Sequence, residues 1–234
     1  MGDSNFPTLI MKAERGEIIV RYQDLYRQYC RLNVSVPSDR AIAMNGLQSR
    51  LLKAFNTKGD FGIVGSSRYF GRSLLWIRHK DQDSMEHIEF PEGQHKMPSW
   101  SWMAYMGAID YVNFPFASVK WEHTVEEPDW EEGPGHRACV FRGPSYRFSL
   151  RKTAAGLESQ LFFERPGEES NETLRCIILG RDILPSMADD DPRRRCYVLV
   201  VVPISEARNA WRRIGAGYVP WRSLSGSEEL VVVE

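Results

Sequence analysis

The side chains best suited to chemistry lie in or near one aromatic stretch, Pro98-Ser99-Trp100-Ser101-Trp102-Met103-Ala104-Tyr105-Met106-Gly107-Ala108-Ile109-Asp110-Tyr111. Tyr105 or Tyr111 can donate a hydrogen bond to a substrate carbonyl, and Arg72 or His95 can bind a carboxylate or carbonyl. Trp76, Trp100, Trp102, Met103 and Met106 supply apolar, polarizable walls for a shaped cavity. Together they describe a site that holds reacting carbons close, a way of lowering a barrier that needs no cofactor and leaves no motif. Each residue also has a plainer reading. Large aromatics are highly buried whether or not a ligand is near, and for the tryptophans core packing is the favoured reading. A lone histidine in a polar loop is usually exposed. Asp110, between Ile109 and Tyr111, is a further candidate acid or base, against an ordinary strand-end aspartate.

Other constellations argue against familiar chemistries. The acidic run Glu122 to Glu132, with Asp129, Pro128 and Gly133, reads as a solvated loop rather than a proton-transfer pair. Asp189-Asp190-Asp191 lacks helical carboxylate spacing, because Pro192 breaks a helix and Arg193 to Arg195 neutralise the acids. The glycines of Asn56 to Ser67 lack the lysine of a phosphate loop, and no dinucleotide fingerprint, GxSxG elbow or HExxH pair occurs. Cys30, Cys139, Cys176 and Cys196 have no metal-ligand spacing and read as reduced, buried thiols. The expectation is no cofactor and no metal.

A chain of 234 residues, 42% hydrophobic and 26% charged, is long enough to bury a sizeable core. Its net charge of −1 gives no global field toward nucleic acid or anionic lipid. Met1 to Thr8 has no basic start and apolar h-region, and the longest apolar run, Tyr197 to Ile204, is far short of the ~20 residues of a membrane span. A cytoplasmic protein without membrane insertion is expected.

Tyr22, Leu25, Tyr26 and Tyr29 follow helical spacing and predict a helix over Arg21 to Leu32. Ser38 as N-cap and Asp39 in the first turn predict a second helix, Asp39 to Phe55, with Ala43, Leu47, Leu51 and Phe55 buried and a close neighbour at Gly46. Tyr69 to Arg78 reads as a short helix, Asp81 to Lys96 as a surface loop. Alternation over Ser99 to Ala104 predicts an extended strand with Trp100 and Trp102 on one face. Beyond Tyr111 the chain turns strand-rich. Candidates are Ala138 to Arg142, Tyr146 to Leu150, Leu157 to Phe163, Leu174 to Gly180, Cys196 to Ile204, Gly217 to Trp221 and Glu229 to Val233. This predicts an α+β fold, N-terminal helices packed on an antiparallel β-sandwich or barrel. Residues 1–97 form the helical subdomain with loops and 98–234 the β-rich one, in one compact unit.

Several of these segments resemble a known family. Arg21-Tyr22-Gln23-Asp24-Leu25-Tyr26, Pro37-Ser38-Asp39-Arg40 through Gly46-Leu47, Leu74-Leu75-Trp76 and Pro98-Ser99-Trp100-Ser101-Trp102 look like successive segments of fungal heterokaryon-incompatibility (HET) proteins. Tyr197-Val198-Leu199 and Arg212-Arg213-Ile214-Gly215 resemble the closing segments. The likeness departs at Gly62-Ile63-Val64, where the family often has Gly-Leu-Trp. No segment of the HET domain proper, a module resembling TIR domains, occurs in the chain, so the resemblance implies the half that follows it. It brings no catalytic residues with it.

Two functions follow as expectations. One is a cofactor-independent, pericyclase-like cyclase or isomerase acting on a hydrophobic intermediate of fungal secondary metabolism, of terpenoid or polyketide class. The other is a non-enzymatic recognition module that contacts a protein partner.

Overall fold

The structure is a computed structural model and describes residues 15–32, 36–66, 69–91, 97–114, 117–130, 139–148, 159–168, 173–183, 188, 191–205 and 210–234. His95, the alternation at Leu150 and Leu157, and the pair Asp189-Asp190 lie outside the described residues. Three α-helices are present among those described: α1 (Arg15–Cys30), α2 (Asp39–Phe55) and α3 (Phe70–Leu74). The strands are β1 (Gly59–Asp60), β2 (Ile63–Val64), β3 (Trp76–Arg78), β4 (Glu86–His87), β5 (Tyr105–Met106), β6 (Ile109–Tyr111), β7 (Val119–Trp121), β8 (Phe141–Phe148), β9 (Gln160–Phe163), β10 (Arg175–Asp182), β11 (Arg195–Ser205), β12 (Ala210–Pro220) and β13 (Leu224–Val233).

The α+β expectation holds, and the strands pair as a closed barrel. The order β11-β10-β8-β13-β12 returns to β11, with β9 added on β12 and β7 on β10. Closure depends on a pairing the sequence reading did not foresee. β12 and β13 run parallel, over Ala210↔Val232 and Trp211↔Val233, while every other strand pair among the described residues is antiparallel. The 3-10 turn Trp221–Ser223 ends β12 and sends β13 along β8.

Burial on both faces explains why β10 and β11 are apolar without alternation. Ile177, Leu179, Tyr197, Leu199 and Val201 join a core shared with the helices. Cys176, Ile178, Val198 and Val200 point the other way, into a second cluster with Ile214 and Val219. α1 presents Ile19, Tyr22, Gln23, Tyr26 and Cys30 inward, an amphipathic stripe at helical spacing.

Four local readings are corrected. Ser99 to Ala104 is a turn running into a 3-10 helix, Trp102–Ala104, because the Ser101 hydroxyl accepts from the Met103 N–H and donates to Phe61 O, competing with strand pairing. The segment Tyr69 to Arg78 divides into helix α3 and strand β3, with Trp76 opposite Tyr111. α2 buries Arg40, Met44, Gln48 and Leu51, with Leu47 and Phe55 partly buried against the same core and Ala43 exposed; Gly46 faces open space, and Ser38 makes no side-chain cap. The loop after Asp81 buries Met85 and Ile88 and contributes β4.

Candidate functional site

The glycine-rich connection after α2 is a hairpin, β1–β2, and the aromatic stretch is anchored to it. Phe61 and Gly62 at its tip both have positive φ, 54° and 76°. Gln48 on α2 accepts from the Gly62 N–H at 2.9 Å. Gly62 O in turn accepts from the Tyr22 hydroxyl at 2.8 Å and from Trp102 Nε1 at 3.1 Å. A Cβ at Gly62 would lie 2.2 Å from Trp102 Nε1, so indole and backbone meet with no room for a side chain. This connection is more than a linker.

The two neighbouring tryptophans do not form one wall. Trp102 turns to α1 and α2, with ring centroids 4.9 Å from Tyr26 and the Arg40 guanidinium 5.3 Å above it. Trp100 turns to the sheet, against Phe61, Trp130 and Phe141. Trp76, on β3, faces β12 and lies under the Arg213 guanidinium at 3.3 Å from its ring centre. All three indoles are at 0% exposure, and each N–H donates to a backbone carbonyl: Trp76 to Trp100, Trp100 to Cys139, Trp102 to Gly62. Met103 is buried with them, whereas Met106 is half-buried on β5. The packing reading of the tryptophans has the direct support here.

Two buried arginines that the sequence reading did not single out hold this region together. Arg40 donates to Tyr105 O at 3.0 Å and Gly107 O at 3.1 Å. Arg213, fully buried on β12, pairs with Glu164 at 2.8 Å and donates to Leu74 O and Trp76 O, tying the barrel to α3 and β3. Neither position betrays itself by type alone, because arginine is ordinarily a surface residue. The local signal was their place in the two conspicuous segments containing Ser38-Asp39-Arg40 and Arg212-Arg213-Ile214.

The two candidate donor tyrosines differ. Tyr105 is committed: its hydroxyl donates to Ser99 O at 3.2 Å. Tyr111, on β6 and 3% exposed, has a buried hydroxyl with no hydrogen-bond partner among the described residues. Around it lie the Tyr26 phenol, the Cys30 thiol and the Arg27 and Arg213 guanidiniums. Burial, the largest cause, pushes the Tyr111 phenol well above its ordinary value, with further upward pushes from Cys30 and Tyr26. Tyr111 therefore stays protonated and is a donor, never a base. Burial does the same to Tyr105 and Tyr26.

At the outer edge of this phenol, Arg27 on α1 lies 5.4 Å from the Tyr111 ring centre and pairs with Asp110 at 2.6 Å and Asp24 at 2.7 Å. Arg72 on α3 stacks 4.5 Å over Phe114, and burial together with the nearby Arg27 lowers its pKa. Asp110 is thus an ion-pair partner and also caps the Tyr111 N–H at 2.7 Å, which supports the plain reading of that residue. The acid run is likewise engaged: Glu122 pairs with Arg181, and Glu127 accepts from the Ser66 N–H and Trp130 Nε1. Asp191 holds Arg193, as neutralisation of that cluster requires. Among the described residues no group of acids, histidines and cysteines is arranged to hold a metal ion. The cysteines are free thiols, three buried and Cys139 half-buried.

Fold and site define an α+β protein in which a closed five-stranded barrel carries a layer of helices and short hairpins around an aromatic core. No family model, curated protein or solved structure matches the chain. Among the described residues no helix is long and apolar enough to cross a membrane.

Proposed function

We propose that the chain is a cofactor-independent cyclase or isomerase that takes a hydrophobic intermediate of terpenoid or polyketide class at the Tyr111 end of the aromatic core. The reading rests on one observation, the buried Tyr111 hydroxyl without a partner. Leaving a hydroxyl buried and unsatisfied costs about 1–3 kcal/mol, and phenylalanine would fill the same space without that cost. A substrate carbonyl would accept the idle proton, and its bond to Tyr111 strengthens as charge develops on that oxygen in a polar transition state. Tyr26, Trp76 and Phe114 supply aromatic surface in the surrounding core, and Arg72 at its edge suits a carboxylate or carbonyl end of the same molecule. The Trp100 side of the stretch serves as scaffold in this reading. Burial pushes up the Tyr26 phenol and the Cys30 thiol beside Tyr111, so neither serves as a base, which suits a reaction driven by holding a folded substrate, with a donor to polarise it.

Deletion of the gene in its native host, with mass-spectrometric comparison of metabolites, tests this. An accumulated precursor isomeric with a lost product is expected, and purified protein should convert it. An unchanged profile overturns the proposal.

A recognition module related to heterokaryon incompatibility is the second reading. It is favoured by the exposed aliphatic side chains Val20 and Leu32 at α1, Ile42 on α2, and Val36 just before α2. Altered fusion compatibility in the deletion strain, with metabolites unchanged, would support it instead.

A further inference from the structure

The Tyr111 phenol is closed off from solvent, so a site there needs a way in. Arg27 spans from α1 to β6 at the ring, with its guanidinium carbon 5.4 Å from the ring centre and its Nε 2.6 Å from Asp110. Its side chain is 29% exposed, and the guanidinium is held by Asp110 of β6 and Asp24 of its own helix. Partly exposed ion pairs of this kind are weak, typically ~0–1 kcal/mol, because water and salt compete for both partners. The aromatic neighbours deeper in the seam are instead fixed by packing, as Tyr22 and Tyr26 are by ring contacts of 4.2 Å and 4.9 Å with each other and with Trp102. The cheapest displacement that uncovers Tyr111 is therefore a swing of Arg27 off Asp110.

We infer that the seam between α1 and β6 is the entrance to the Tyr111 site and that Arg27 is the side chain that closes it. This rests on the proposed function for its purpose but not for its test. Asp110 is the latch: by holding the guanidinium on β6 it keeps the cation over the ring. A molecule entering here has to offer Arg27 an acceptor in place of Asp110, which favours substrates with a carboxylate or carbonyl at the trailing end.

Cys30 reports on the seam without any turnover. It lies three residues beyond Arg27 on α1, is buried, and neighbours Ile109 of β6 and Tyr111. Iodoacetamide labelling of native protein, followed at the Cys30 peptide by mass spectrometry, measures how often the seam opens. Arg27→Ala and Asp110→Asn are each expected to speed Cys30 labelling about tenfold, with Cys176 labelling unchanged. Tyr111→Phe, which removes the donor and leaves the latch, should label at the wild-type rate. Should either latch variant lower the unfolding midpoint, its Cys30 rate is compared with that of Val198→Ala, a barrel-core variant, in denaturant giving equal global stability. An excess over that control upholds the entrance. Rates equal to wild type, or to the matched control, overturn it. An inactive protein with a latch-dependent Cys30 rate would sink the cyclase reading alone.

Discussion

At the scale of single residues, Tyr111 and Tyr105 make opposite predictions although both are buried phenols. Tyr111→Phe removes a hydroxyl that bonds nothing among the described residues, so its thermal midpoint should hold or rise, while turnover of the native substrate falls ~100-fold. Tyr105→Phe deletes the bond to Ser99 O and should lower stability by ~1 kcal/mol with turnover nearly unchanged. Urea unfolding and rate measurements on the two variants check both. Equal rate losses would mean that the donor was misassigned. Gly62 is the other decisive position. Its positive φ and its contact with Trp102 leave no room for a methyl group, so Gly62→Ala should destabilise the fold by ~2–4 kcal/mol, measured as the shift in urea midpoint.

Between elements, Arg213 and Glu164 form a buried ion pair. It spans the barrel and the helical layer: Arg213 on β12 reaches Leu74 O at the end of α3 and Trp76 O on β3, while Glu164 follows β9. Removing one charge strands the other in the core. Arg213→Met is expected to cost ~3–5 kcal/mol, and the double change Arg213→Met with Glu164→Gln substantially less than the sum of the singles. A double-mutant cycle by chemical denaturation measures the coupling, and strict additivity would show that the pair does not act as a unit. The same logic explains why the inward stripe of α2 differs from its apolar pattern. Arg40 and Gln48 are long enough to hydrogen-bond the backbone of the aromatic stretch and of the β1–β2 tip, so they share the buried face with Met44 and Leu51 while Ala43 is left exposed.

For the whole molecule, buried acidic protons set the pH response. Burial pushes the Cys30 thiol from its ordinary 9.0 up to about 11, and Cys196 up to about 12, with the core phenols moved the same way. Between the ordinary and the raised value the unfolded chain has released its proton and the folded chain retains it. The stabilisation is therefore complete below pH 9 and is lost as pH rises through the folded values. Cys30 alone accounts for a loss of ~2–3 kcal/mol between pH 9 and pH 11. Urea unfolding at intervals from pH 8 to 11 should show this fall, and Cys30→Ala should make it shallower, with Cys176 and Cys196 supplying the remainder. A stability curve level across that range would contradict the burial of these groups.

The sequence by itself determined the local periodicities: α1 apart from its first six residues, the full span of α2, the apolar strands β10 and β11, and the α+β class. It also picked out the stretch around which the core assembles, because burial of large aromatics follows from their size. Tertiary structure decided what those residues do there. Whether Trp100 and Trp102 share a face depended on the Ser101 hydroxyl reaching Phe61 O, forty residues away, and the barrel's closure on a parallel pairing of β12 with β13. The burial of Arg40 and Arg213 depended on carbonyls left open at the ends of other elements. Most telling is the difference between Tyr105 and Tyr111. Periodicity assigns both to the core, but whether a buried hydroxyl is satisfied depends on which distant carbonyl the fold brings within about 3 Å.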